Sequence, residues 1–219
     1  MIELKDIHKT YVGKETENEV LHGIDLTLKA NEYVSIMGTS GSGKSTLLHI
    51  LGCMDTATSG TYRYNDSDVT AMSQKQLARF RKEHICFVFQ QFALMNQYTV
   101  YENIELPLLY RGVSAKERRE RIMECMKTLG IENLAQKKAN HISGGQAQRC
   151  AIARALVSDT DLLLADEPTG ALDRQNSLMI LDCLDLVHKA GKNIVVVTHD
   201  SEVASRADRI IRIEDGRIA

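Results

Sequence analysis

A mixed α/β fold, with an antiparallel opening, a parallel core and an inserted helical lobe, is predicted by three features of the 219-residue sequence. Period-two alternation of apolar and polar residues opens the chain. Short apolar runs recur at Tyr33–Met37, 162–165 and 194–198, each passing directly into a glycine-rich, acidic or histidine-bearing turn. Between them lies a long stretch marked by helix-start signals. Strands that alternate with helices imply a parallel sheet covered on both faces.

Taken in order, Ile2, Leu4 and Ile7, then Leu21 through Leu28, carry the alternation of half-buried strands. The polar segment GKETENE at 13–19 reads as the hairpin loop joining them. Tyr33–Met37 is a short apolar strand. Three capping-box patterns then mark helix starts, Ser73 with Gln76, Thr99 with Glu102 and Ser114 with Glu117. The helix over 114–129 puts Ile122, Met126 and Leu129 on one face and the KERRER run on a solvated one. Strand 162–165, helix 178–190, strand 194–198 and a last strand at 210–213 complete the reading. It gives one domain over 1–219, with a core at about 1–72 and 157–219 and a helical lobe at about 73–156.

A net charge of −2 lacks the basic excess of a general nucleic-acid binder, so no nucleic-acid partner is expected. No apolar run approaches the ~20 residues of a membrane-spanning helix. The charged opening MIELKDIHKTY is not followed by the apolar segment of a secretory signal. A membrane role must therefore come through a partner. Cys53, Cys86, Cys125, Cys150 and Cys183 form no CxxC pair and read as buried free thiols of a reducing compartment. The scattered histidines suggest no structural metal.

The sharpest chemical signal is GTSGSGKST, made of Gly38, Thr39, Ser40, Gly41, Ser42, Gly43, Lys44, Ser45 and Thr46. It matches GxxxxGK(S/T) between a strand and a helix, the context in which that pattern cradles phosphates. Glycines let the backbone turn tightly and aim N–H groups inward. The helix from about Lys44 adds its positive end, Lys44 its full charge, and Ser45 a hydroxyl for Mg²⁺. The second half of a hydrolytic site is LLLADEPTGALD at 162–173. Its apolar strand delivers Asp166, suited to Mg²⁺, and Glu167, suited to polarise a water, to the carboxyl edge of the sheet. The strand at 194–198 ends at His199, where an imidazole can reach a γ-phosphate.

ISGGQAQR, from Ile142 to Arg149, resembles the LSGGQ signature of ABC-transporter ATPases, and the resemblance covers essentially the whole chain. The fold it implies is the ABC-type P-loop NTPase. Ser143 and the two glycines are taken to precede a helix running to about Val157, and in that family Ser143, Gly144, Gly145 and Gln146 would close over ATP held by a second subunit. Tyr11 matches the aromatic residue that stacks on adenine, and Gln90 the glutamine that joins Mg²⁺ and links the site to the helical lobe. Asp173 matches the aspartate of the loop crossing the dimer interface, and His199 the switch histidine. MGTSGSGKST, ENIELPLLYRG and ADEPTGALD are similar to the macrolide-exporter and lipoprotein-release (MacB/LolD-like) ATPases.

The resemblance implies an ATPase using ATP and Mg²⁺, a homodimer formed on ATP and an integral membrane permease as partner. It further implies an extracytoplasmic adaptor reached through that permease, and a cytoplasmic location on the inner face of the membrane. Two departures stand out: Ile142 replaces the usual leucine, and Ala139 a frequent proline. A non-transport ABC ATPase of DNA repair or translation and an importer ATPase are the alternatives. The compact span between Lys44 and Ser143 and the absence of heptads weigh against the DNA-repair class, and a single domain without basic excess against the translation class.

Overall fold

The computed structural model describes residues 1–13 and 16–219, so Lys14 and Glu15 of the expected hairpin loop lie outside the described residues. Strands β1 (Ile2–Val12) and β2 (Glu17–Leu28) pair antiparallel, with Tyr11 opposite Asn18. Glu17, Asn18 and Glu19, expected in the loop, belong to β2. The pleat continues through them because cross-strand bonding outweighs their polarity on an exposed end. Strand β3 (Tyr33–Met37) leads through the glycine-rich turn into α1 (Lys44–Leu51). Strands β4 (Ser59–Tyr64) and β5 (Ser67–Asp68) extend the first sheet, and α2 (Gln74–His84) passes into β6 (Ile85–Phe89). Helices α3 (Val100–Tyr110), α4 (Ala115–Thr128) and α5 (Gly144–Val157) pack on one another. Then follow β7 (Leu162–Asp166), α6 (Arg174–Lys189), β8 (Asn193–Val197), α7 (Ser201–Ala204), β9 (Arg209–Glu214) and β10 (Arg217–Ile218).

One sheet is antiparallel in the order β2-β1-β4-β5, and the other runs β10-β9-β3-β8-β7-β6. Its five strands from β9 to β6 are parallel, so their carboxyl ends share one edge. Alternation along each strand feeds two core layers. Leu162, Leu164, Val195 and Val197 face β1, β2 and α1, whereas Leu163, Ala165, Ile194 and Val196 face α3, α5 and α6.

The stretch at 73–156 is not wholly helical. Its segment ICFVF is β6, the edge strand of the parallel sheet, in register with β7 from Ile85 opposite Leu162 to Phe89 opposite Asp166. Helix α2 packs Leu77 and Phe80 into the core layer beneath the antiparallel sheet. Ser73 and Thr99 form complete capping boxes, while Ser114 makes only the forward bond to the Glu117 N–H, at 3.3 Å. Helix α6 starts at Arg174 rather than near 178, because Asp173 caps it by accepting the Asn176 N–H at 2.9 Å. All five cysteines are free thiols, four buried and Cys86 half-buried. No helix among the described residues is long and apolar enough to cross a membrane.

Candidate active site

The parallel edge gathers part of the expected set, namely most of the glycine-rich segment with the acidic pair and the histidine. A cleft of about 650 Å³ is lined by Gly38, Ser40, Gly41 and Gly43 from the turn after β3 and by Lys44, Ser45 and Thr46 from the start of α1. Asp166 at the end of β7, Glu167 just after it and His199 beyond β8 line it too, joined by Asn18 and Val20 of β2. Gly43 is the N-cap of α1, at φ 99°, with no side-chain bond to the helix start. A side chain there would be strained in the left-handed region and would lie 2.7 Å from Leu21 Cδ2. The first turn of α1 carries no acidic residue, so its N–H groups and dipole face the cleft uncompensated. Thr39 and Ser42 shape the loop from within. Ser42 donates its N–H to the Thr39 carbonyl at 3.2 Å, and its hydroxyl is buried behind the turn rather than in the cleft.

The ammonium of Lys44 donates to the Gly38 and Thr39 carbonyls at 2.9 and 2.7 Å, folded over the loop it would share with a phosphate. Ser45 Oγ donates to Asp166 Oδ1 at 3.4 Å, so two hard oxygen donors converge beside the cradle. Oxygen donors next to bound phosphates are what Mg²⁺ requires, and the residues fit that ion. Burial pushes the Asp166 carboxyl above its usual range, with the Ser45 hydroxyl acting against the shift. Bound at these oxygens, the ion would neutralise phosphate charge.

Glu167 sits at φ 45°, a left-handed conformation that costs a non-glycine residue about 1–3 kcal/mol unless its surroundings impose it. Its N–H bonds the Val197 carbonyl at 2.9 Å and its own carbonyl accepts the Gly170 N–H at 3.0 Å. One carboxylate oxygen meets His199 Nδ1 at 2.7 Å and the other accepts from Thr198 Oγ1 at 3.2 Å. The two candidate catalytic side chains are therefore bonded to each other.

Tyr11 does not line the cleft but lies beside Thr46, which does, and is 43% exposed. Its hydroxyl donates to Asp55 Oδ2 at 2.8 Å, and Lys9 Nζ lies 4.7 Å from its ring centroid while bonding Asp55 Oδ1 at 2.7 Å. Burial, then the bond to Asp55, raises the Tyr11 phenol above its ordinary range. Gln90, exposed at the end of β6, lies against Gly170 and does not line the cleft. The loop after it is held by the buried Asn103, whose Oδ1 accepts the Met95 N–H at 2.8 Å.

Ser143, Gly144, Gly145 and Gln146 also lie outside the cleft lining. The two glycines do not precede the helix but form its first turn, because Ser143 is the N-cap of a complete capping box with Gln146. Gly145 packs on Asn176, which Asp173 holds through Nδ2 to Oδ2 at 2.7 Å. The Asn176 N–H holds the Asp173 carboxyl below the usual carboxylate range. Ala139 donates its N–H to the Tyr98 carbonyl at 2.9 Å, a bond that proline could not make. Sequence reasoning missed Asn18, Thr198, Gln148 and Asn176. Only Asn18 carried a signal, its hairpin register opposite Tyr11.

A phosphate cradle, an acidic pair at a strand end and a histidine bonded to the second acid define a nucleoside-triphosphatase. Residues 21–170 match the ABC transporter family, to which the chain belongs. It is 48% identical over 219 residues to the ABC transporter ATP-binding protein YknY of Bacillus subtilis, covering 100% of this chain and 95% of that protein. It is 44% identical over 218 residues to the macrolide export ATP-binding/permease protein MacB of Escherichia coli K12, spanning all of this chain and 34% of MacB. Among solved structures it resembles the dimeric MJ0796, a bacterial ABC transporter cassette, with TM-score 0.91, 44% identity and coverage of 100% and 96%. A post-hydrolysis state of that cassette bound to ADP and Pi matches equally well in TM-score, at 43% identity and the same coverage of each chain. The chain is an ATP-hydrolysing cassette using ATP and Mg²⁺.

Proposed function

We propose that two copies of this chain close around two MgATP and that hydrolysis reopens them, driving a membrane permease of the exporter or mechanotransmission type. The observation that carries the reading is a separation. The cradle and the acidic pair share one cleft, whereas none of Ser143, Gly144, Gly145 and Gln146 lines it. A capped helix start with two glycines in its first turn is a ready anion site, and its complement is a nucleotide held by another copy.

In this reading Tyr11 receives adenine, and Gly38 to Thr46 with Lys44 bind the phosphates. Ser45, Asp166 and, after movement of its loop, Gln90 hold Mg²⁺. Glu167 orients and deprotonates the attacking water, and His199 holds the phosphoryl group being transferred. For that, Glu167 must release His199, to which it is now bonded at 2.7 Å. Ser143, Gly144, Gly145 and Gln146, with Asp173, complete the partner's site. The permease seats the chain on the inner membrane face. The name of the MacB relatives, exporters with ATP-binding and permease functions, supports the exporter class, with cargo chosen by the permease.

Glu167→Gln keeps size and removes the base. The variant is expected to elute from gel filtration as a dimer with ATP and Mg²⁺ and to hydrolyse at least about 100-fold more slowly. A monomeric variant that turns over normally contradicts the reading. Purification of the native complex in detergent, followed by identification of the companion chain, separates a permease from DNA or ribosomes.

A further inference from the structure

We infer that Gln148 is a positioning residue for hydrolysis: from the buried face of α5 its side-chain amide donates to the Pro168 carbonyl at 2.7 Å and so holds the turn that presents Glu167. The inference rests on the role proposed for Glu167.

Gln148 is fully buried, and its Oε1 has no hydrogen-bond partner among the described residues. A half-satisfied amide is a poor packing element, since an apolar side chain of the same shape would avoid the buried oxygen. What distinguishes glutamine here is the group it reaches. Pro168 follows Glu167 directly and has no N–H, so its carbonyl is the one backbone handle that residue offers. The turn needs restraint because Glu167 holds a left-handed φ of 45°. Two of its backbone bonds, Glu167 N–H to Val197 and Gly170 N–H to Glu167, come from the core strand and the turn itself. Gln148 supplies a restraint from α5.

The same helix holds the adjacent loop, which meets the Glu167 turn where Gln90 lies against Gly170. Arg154 donates from Nη1 to the Ala93 carbonyl at 2.9 Å and from Nη2 to the Phe92 carbonyl at 3.4 Å, in the loop after Gln90. Phe92 and Ala93 also have positive φ, 60° and 47°. Helix α5, which begins at the Ser143 cap, thus grips the strained turns of both the Gln90 loop and the Glu167 loop. Displacement of α5 would carry the Pro168 carbonyl, and with it the angle at which Glu167 faces the cleft.

The test is the steady-state ATPase of the full chain carrying Gln148→Met, which keeps the length and removes the donor. Gln148→Asn, whose amide is one methylene too short, serves if the first variant does not fold, and thermal unfolding is recorded for both. Misplacing a catalytic group by about 1 Å costs about 100-fold. The expected result is a 10- to 100-fold fall in kcat with KM for MgATP within about two-fold of the parent. A merely structural role would lower the unfolding temperature and leave kcat of the folded fraction unchanged. A kcat within two-fold of the parent, measured where Glu167→Gln abolishes turnover, overturns the tether alone. Normal turnover in Glu167→Gln overturns the role of Glu167 first, and the tether with it.

Discussion

The side chain of Asn176 fills the space that a Cβ on Gly145 would need. A Cβ on Gly145 would stand 2.6 Å from Asn176 Cγ, and Asn176 is fixed by two bonds to Asp173. The second glycine of the signature turn is therefore required by the start of α6 within the same chain, whatever a partner adds. Gly145→Ala is expected to destabilise the fold by about 1–3 kcal/mol through overpacking. Asn176→Ala in the same chain should restore at least half of that. A double-mutant cycle of denaturant unfolding measures the coupling, and additive single effects would refute the clash.

Ser143 has two separable duties, capping α5 and, as proposed, meeting a γ-phosphate. Aspartate caps helices as well as serine does but brings a like charge to the phosphate. Ser143→Asp should therefore leave thermal unfolding nearly unchanged. In the Glu167→Gln background it should abolish the ATP-dependent dimer on gel filtration.

The brace behind Tyr11 predicts a base-specific effect. Lys9 lies over the ring while Asp55 takes the phenol, which fixes one face and leaves the other to a base. A cation–π contact of this kind is worth about 0.5–1 kcal/mol at an exposed site. Lys9→Met is expected to weaken MgATP binding about two- to five-fold with unchanged kcat. Titration with tripolyphosphate, which has no base, should show no difference from the parent.

His199 is expected to be indispensable for turnover rather than for binding. Its Nδ1 meets Glu167 at 2.7 Å and its ring borders the cleft. Removing one preorganised donor from a charged transition state costs about 100- to 1,000-fold. His199→Ala should lower kcat by that factor with KM for MgATP little changed, as read from steady-state kinetics.

Much of this is legible in the sequence. The strands that deliver the site are short apolar runs with nothing polar inside but Ser35, so β3, β7 and β8 could be placed to within a residue. The cradle is local chemistry, and local chemistry is written contiguously. Strand β6 was hidden by context, because ICFVF lies amid helical signals. The start of α6 was missed because Arg174, Gln175, Asn176 and Ser177 carry no apolar periodicity, and only the cap at Asp173 marks it. The Ser143–Gln146 capping box had the same spacing as the others but was masked by glycines that disfavour helices. Gln148 and Asn176 could not be found, since a helical glutamine or asparagine reads as solvent-facing until its neighbours across the chain are known.

The most direct test of the central claim is a structure of the Glu167→Gln variant with ATP and Mg²⁺. The expected result is a two-fold dimer in which Ser143 Oγ of one copy lies within hydrogen-bond distance of the γ-phosphate held by Lys44 of the other. A nucleotide-bound form in which Ser143 faces solvent, or reaches its own chain's nucleotide, would contradict it.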